Sequence, residues 1–227
     1  MAQRMMTATL AGILAAGMAF AHGDVAPQPV NTDALPEVGE EWLTENPYRS
    51  LGDEVWTAAV AIGASGYNQN CARCHGLEAI SGGLAPDLRF LEAEEYGDEW
   101  YVERFREGYT QNGITKMPAF GELLGQKAAW AIRTYIETRP DDGQVADFTP
   151  ELKELRDMLD GWSADATGAD PDGVKAKLDE IAGQIETLSG APVADSPAYR
   201  AANLIDGSAD GYRKAAEALT IGLSAAH

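Results

Sequence analysis

Tyr67-Asn68-Gln69-Asn70-Cys71-Ala72-Arg73-Cys74-His75 is the stretch on which the fold turns. The chain has 227 residues and two cysteines, and both cysteines stand in this run, followed at once by His75. C-x-x-C-H is the attachment sequence for a c-type haem. Two thiols three positions apart near a helix end can reach the two vinyl groups on one haem edge. The next residue then projects its imidazole at the iron. Other chemistries lack their parts. A thioredoxin-like C-x-x-C wants a βαβ setting that the sequence does not offer. A Cys71–Cys74 disulfide would close a strained small ring. A zinc site would need further ligands, and the other histidines, His22 and His227, lie near the two ends. One covalently attached haem c on Cys71, Cys74 and His75 is the expected cofactor.

Upstream of the motif, Val55, Ala59, Ile62 and Tyr67 keep a helical register that runs into the cysteines. Downstream come a Gly/Pro-rich loop from Gly76 to Pro86 and an amphipathic segment around Trp100 to Tyr109. A second loop carries Gly113, Met117, Pro118 and Gly121. A helix from about Gly125 to Thr138 follows, and Pro140 stops it. Nothing here reads as a strand-rich sheet. A sixth iron ligand is sought among histidine and methionine. Beyond residue 21 the methionines are Met117 and Met158. Met117 stands in Lys116-Met117-Pro118, where proline stiffens a glycine-flanked loop. Met158 falls on an apolar helical stripe, where methionine is ordinarily core. Met117 is the favoured ligand and Met158 the alternative.

The chain carries 36 acidic and 17 basic side chains, a formal charge of −19. That excess argues against nucleic acid and against anionic membrane surfaces as partners. Arg4, an apolar stretch from about Ala8 to Phe20 and Ala19-Phe20-Ala21 read as a signal peptide over residues 1–21. The competing reading is an uncleaved anchor. Cleavage after Ala21 would place a protein without a membrane span in an exported compartment, a bacterial periplasm. Residues 22–50, with Pro27, Pro29, Pro36 and Pro47, read as an extended arm packing through Trp42 and Tyr48, or else as a loose leader. Residues 51–140 form the haem domain, and 141–227 an acidic helical extension. In the extension, Leu152, Leu155 and Leu159 mark one stripe. Val174, Leu178, Ile181, Ile185 and Leu188 mark a second, from Pro171 to Gly190, and Tyr212, Ala216, Leu219 and Leu223 a last one. Two to four helices are expected there, and the whole is an all-α protein.

Gly63, Tyr67 and Cys71 share one helix face, and Tyr135 lies in Trp130-Ala131-Ile132-Arg133-Thr134-Tyr135-Ile136. With the attachment motif, these residues resemble the class I cytochromes c over about residues 51–140. The resemblance implies that Gly63 lets two helices cross closely, against the Ile132/Tyr135 face. It also implies that the Pro86 carbonyl accepts the His75 imidazole N–H, which orients the ring and raises its basicity. A further similarity covers His22-Gly23-Asp24-Val25, Glu41-Trp42, Asn46-Pro47-Tyr48-Arg49, Tyr67 to Ala79 and Pro86-Asp87-Leu88-Arg89. This set is similar to the PedF-type cytochromes c, soluble electron acceptors for PQQ-dependent alcohol dehydrogenases. It implies a quinoprotein dehydrogenase as electron donor. Residues 141–227 depart from that pattern.

The function expected is a periplasmic one-electron carrier, not an enzyme, passing electrons to a downstream cytochrome or terminal oxidase. A haem sensor or ligand-binding protein with a labile sixth position is the alternative. Other residues have two readings each. Arg89, Arg104 and Arg106 suit haem propionates or surface salt bridges to glutamate. Trp100 and Tyr109 suit haem-pocket or core packing rather than redox relay. Glu92, Glu94, Glu95, Asp98 and Glu99 read as a solvated face, or as a docking patch for a basic partner. A processed His22 could chelate copper with its own amine, though an exposed leader residue is the plainer reading. The extension is either an interaction module or additional packing around the haem domain.

Overall fold

The computed structural model describes residues 27–225. The expected signal peptide, His22 with its copper-binding reading, the 22–25 stretch and His227 lie outside the described residues. Among the described residues the protein is mostly helical, with nine helices and one two-stranded hairpin.

Helix α1 (Asp53–Asn70) begins with Asp53 and Glu54, acids that favour the positive end of a helix dipole. It ends at Cys71, whose N–H bonds to Tyr67 O, and a single further turn, α2 (Ala72–His75), carries the motif. Helix α1 crosses helix α4 (Gly121–Glu137) at very short range. A Cβ on Gly63 would lie 1.9 Å from the Ala131 carbonyl oxygen and 2.9 Å from Tyr135 Cβ. One turn later, a Cβ on Gly66 would sit 3.0 Å from Ile132 Cγ1. Gly63 thus faces Ala131 and Tyr135, and Ile132 belongs to Gly66. The crossing closes an apolar core of Ala59, Tyr67, Phe105, Trp130, Ile132 and Ile136, against which Cys71, Ala72 and Met117 pack.

Helix α3 (Glu95–Glu107) turns Tyr101, Val102 and Phe105 into that core. It ends before Tyr109, which opens an antiparallel hairpin of β1 (Tyr109–Gln111) and β2 (Ile114–Met117). The hairpin replaces the simple loop expected here. Its turn is built on Asn112 and Gly113, both at positive φ, the conformation that Asn-Gly turns favour. Trp100 and Tyr109 are exposed, not core, and Arg104 stacks on both. Helix α4 starts earlier than expected, with a break at Gly125.

Residues 27–52 lie across α1 and α4. The Gln28 N–H donates to Asn70 Oδ1 at 2.7 Å, and Asn70 Nδ2 returns to Gln28 O. The Leu43 N–H donates to Gln126 Oε1, while Gln126 Nε2 donates to Gly39 O and Glu41 O. Tyr48 is buried, and Trp42 takes Arg106 on its face. Deeper, Arg49 makes paired hydrogen bonds to Asp98 and to Glu137. Arg133, wholly buried, donates to Asp98 and to the carbonyls of Leu91 and Glu92. Burial alone would depress the Arg49 pKa, but the bonds to Glu137 and Asp98 outweigh it and raise it. Asp98 is therefore no part of a solvated face. It shares the inward stripe of Tyr101, Val102 and Phe105 and is fully buried.

The extension folds as five helices rather than two to four: α5 (Asp142–Asp147), α6 (Thr149–Ala164), α7 (Pro171–Ala182), α8 (Pro197–Leu204) and α9 (Ala209–Ala225). Asp141, Asp170 and Ser196 cap three of them, and proline stands in the first turn of α6, α7 and α8. Helix α7 stops at Gly183, not Gly190, and Ile185 is buried from the segment beyond it. Leu152, Leu159, Leu178, Ile181 and Leu219 form a second core. Met158 is exposed on α6 rather than buried in that core.

Gly63→Ala should destabilise the protein by about 1–3 kcal/mol, because Ala131 is backbone and cannot step aside. Gly161→Ala within α6, where a Cβ meets nothing within 4 Å, should stabilise by roughly 0.5–1 kcal/mol. Denaturant unfolding of the two variants checks both signs.

Candidate haem-binding site

Helix α1 delivers the motif, and the chain then doubles back. Gly76 sits at φ +84°, and a Cβ there would lie 1.9 Å from the Ile80 carbonyl oxygen. The Tyr67 hydroxyl donates to Gly76 O at 2.9 Å. Burial pushes the Tyr67 phenol well up, so it keeps the proton it donates. Tyr135 packs against Tyr67 with ring centroids 5.2 Å apart. The hairpin of chain from Gly76 onward brings Pro86 O to 2.9 Å from His75 Nδ1. His75 is 9% exposed. With Nδ1 facing a carbonyl, which only accepts, the proton belongs on Nδ1 and the Nε2 lone pair is left free to ligate.

Cys71 is half-buried and Cys74 exposed, and no disulfide joins them. Burial pushes the Cys71 thiol up to about 12, with Cys74 adding to the shift. Met117 ends strand β2, paired with Tyr109 across the hairpin, half-buried against the same core that Cys71 and Ala72 border. Its carbonyl would be 2.4 Å from a Cβ on Gly108, so helix α3 and the hairpin fit together only through glycine. The segments flanking these residues expose Leu77, Leu84, Ile114 and Leu123. Large apolar side chains left exposed near the motif and Met117 suit a flat apolar group lying over them.

These residues fit a covalently held haem: two thiols and an imidazole at the attachment spacing, a ring nitrogen left free to ligate, and an apolar border. The arginines do other work. Arg89 is buried and pairs with Asp87 and Asp142. Arg104 pairs with Glu103, and Arg106 stacks on Trp42. Among the described residues no cluster of three or more His, Cys, Asp or Glu could hold a further metal ion. The residues sequence reasoning missed are Asp142, which with Asp87 and Arg89 ties down the loop beyond Pro86, and Glu78 with Arg139, Asp195 and Arg200 on the near side of it. Asp87, one residue past Pro86, was the available signal.

Fold and site together define a haem-carrying electron-transfer protein. Comparison with known proteins agrees. Residues 58–136 match the family described as cytochrome C oxidase, cbb3-type, subunit III. Cytochrome c550 of Pseudomonas aeruginosa is 52% identical over 129 residues, spanning 57% of this chain and 88% of that one. Two proteins of Pseudomonas putida match over small parts of their length. Quinohemoprotein alcohol dehydrogenase ADH-IIG is 33% identical over 86 residues, 38% of this chain and 11% of its own. Quinohemoprotein alcohol dehydrogenase ADH IIB is 27% identical over 123 residues, 53% of this chain and 15% of its own. No solved structure matches.

The chain belongs to the cytochrome c family. It is an electron carrier with covalently bound haem c, not an enzyme. No described helix is long and apolar enough to cross a membrane.

The Asp87 clamp gives a pH signature. Burial would raise the Asp87 pKa, but its hydrogen bonds from Arg89 and Ser81 hold it below the usual carboxylate range. A depressed folded pKa stabilises fully above the unfolded value of about 3.9, and that stabilisation is lost as pH falls through the folded one. Asp87→Asn should therefore lower stability at pH 7, with the gap from the native protein closing below about pH 4. Unfolding midpoints taken across pH 2.5–7 report it; a gap that persists unchanged to the acid end contradicts the assignment.

Proposed function

We propose that this protein is a periplasmic monohaem carrier that takes electrons from a quinoprotein (PQQ) alcohol dehydrogenase and passes them toward a terminal oxidase. Cys71 and Cys74 would hold the haem covalently, and His75 and Met117 would ligate its iron. The observation that carries this reading is the 2.9 Å contact of His75 Nδ1 with Pro86 O, which fixes the ring tautomer and leaves Nε2 for iron. Bound haem c would supply a one-electron Fe(III)/Fe(II) couple, and a thioether ligand such as Met117 would favour the reduced state. The protein contributes orientation, an apolar border and a docking surface. The likeness of residues in the haem domain to short parts of two quinohemoprotein alcohol dehydrogenases supports the donor class. The acidic composition supports an electrostatically steered encounter.

Met117→Ala should lower the reduction potential and abolish the Met–Fe(III) charge-transfer band. An unchanged spectrum sinks the ligand assignment. Fast CO binding by the reduced native protein at neutral pH would favour a labile sixth position and a ligand-sensing role instead. Reduction by a PQQ alcohol dehydrogenase should slow by about tenfold or more as salt rises from low to physiological strength. Stopped-flow traces showing no reduction at any salt concentration would remove the proposed donor.

A further inference from the structure

The loop from Gly76 to Phe90 carries the Pro86 carbonyl, yet it has little core of its own. Leu77, Leu84, Pro86 and Phe90 are exposed. Glu78 and Ala79 hold φ of +56° and +62°, a region that non-glycine residues keep only where their surroundings impose it. Both ends of the loop are gripped by residues of the C-terminal extension together with Arg139 and Pro140 at the end of the haem domain. At the near end, Glu78 pairs with Arg139 at 3.0 Å and with Arg200 at 3.4 Å. Asp195 completes the cluster, 2.9 Å from Arg200 and 3.3 Å from Arg139. Arg139 is itself 2% exposed and lies 4.2 Å over the Tyr135 ring, so it is a fixed post and not a surface side chain. At the far end, Arg89 bridges Asp87 at 2.6 Å to Asp142 of α5 at 2.7 Å and donates to Pro140 O. Pro86 stands between the two grips. The segment 186–195 seals the arrangement through Ser189 to Glu137 O and to Ala93 N–H, and through Ala194 N–H to Thr138 O.

From this geometry we infer that the C-terminal extension is a clamp on the His75 side of the haem, with Glu78, Asp142, Asp195 and Arg200 as positioning residues. It holds the Pro86 carbonyl against His75 Nδ1 and thereby sets the basicity of the iron ligand. A well-placed acceptor makes the imidazole a stronger donor, which favours Fe(III) and keeps the potential down. The family match ends at residue 136, so Asp142, Asp195 and Arg200, the extension's side of the clamp, lie beyond it. The inference rests on His75 being an iron ligand.

The test uses the full-length holoprotein. Glu78→Gln with Arg200→Gln removes one charge of each sign, so the net charge is unchanged while the near grip opens. Asp142→Asn releases the far grip and serves if the double variant folds poorly. Glu151→Gln with Lys177→Gln removes an exposed pair elsewhere in the extension and serves as control. Opening the near grip should speed amide exchange of Ile80–Ala85 and Asp87 by at least about tenfold and raise the reduction potential. Asp142→Asn should shift both readouts the same way, and the control should shift neither. Faster exchange confined to the extension helices with an unchanged potential would reduce the extension to packing and overturn the clamp. Failure of the underlying reading shows up separately. If the His75 ring resonances of the native oxidised protein lack the large paramagnetic shifts of an iron ligand, that assignment falls before any variant is made.

Discussion

The approach of α1 to α4 at Gly63 and Gly66 is the constraint on which the rest of the haem domain is built. Any side chain at Gly63 would meet the Ala131 carbonyl, so the two backbones are in contact where most helix pairs keep side chains between them. Close approach fixes the end of α1, and with it the position from which Cys71 and His75 project. It also places Arg133, Glu137 and Arg139 of the α4 end within reach of three other segments. The arm reaches that end through Asn46 and Arg49, α3 through Asp98, and the extension through Ser189 and Ala194. The C-terminal end of α4 is thus a hub, and its polar side chains are spent on holding elements rather than on solvent.

Such a hub is costly to build. Asp98, Glu137 and Arg133 are fully buried, and burying charge stabilises only where hydrogen bonds replace the lost hydration. Here nearly every donor has a partner. Among the described residues the exceptions are Arg133 Nη1 and, on the arm, the Tyr48 hydroxyl, both buried without one. The return on this arrangement is geometrical definition. An apolar core of equal volume would pack the arm and α3 against α4 without fixing their register. Removing a single member would strand the others as uncompensated charges, so the cluster commits the arm, α3 and α4 to one mutual arrangement.

Much of the haem domain was legible in the sequence because its signals are local. The attachment motif and the register of α1 each occupy one short window, as does the Pro171 start of α7 in the extension, while Pro86, eleven residues from His75, came from the family resemblance. The hairpin at Tyr109–Met117 was passed over because its strands are three and four residues long with no apolar alternation. Asn112-Gly113 was the one cue to it. Asp98 was misread for a different reason. Its neighbours in sequence are acids, and its neighbours on the helix, Tyr101, Val102 and Phe105, are core. The pairing of Glu78 with Arg200 spans 122 residues and has no local signature at all. Long-range ion pairs between charged residues of ordinary type look the same in sequence as solvated ones.

The buried arginines also change the meaning of the overall charge. A formal −19 suggests that basic and acidic groups mix over the surface in the ratio of their numbers. They do not. Arg89, Arg133 and Arg139 are at most 3% exposed, so their positive charge is neutralised inside the protein by carboxylates held with them. Along the start of α3, by contrast, Glu92, Glu94, Glu95 and Glu99 are exposed, beside the exposed rings of Phe90, Tyr96 and Trp100. What a diffusing partner meets on that face is acid with little interspersed base. Fields from such a face extend about 8–10 Å in physiological salt, far enough to orient an encounter but too weakly to hold one. A carrier that must bind, exchange one electron and leave needs that balance: fast approach set by charge, and a contact that does not persist.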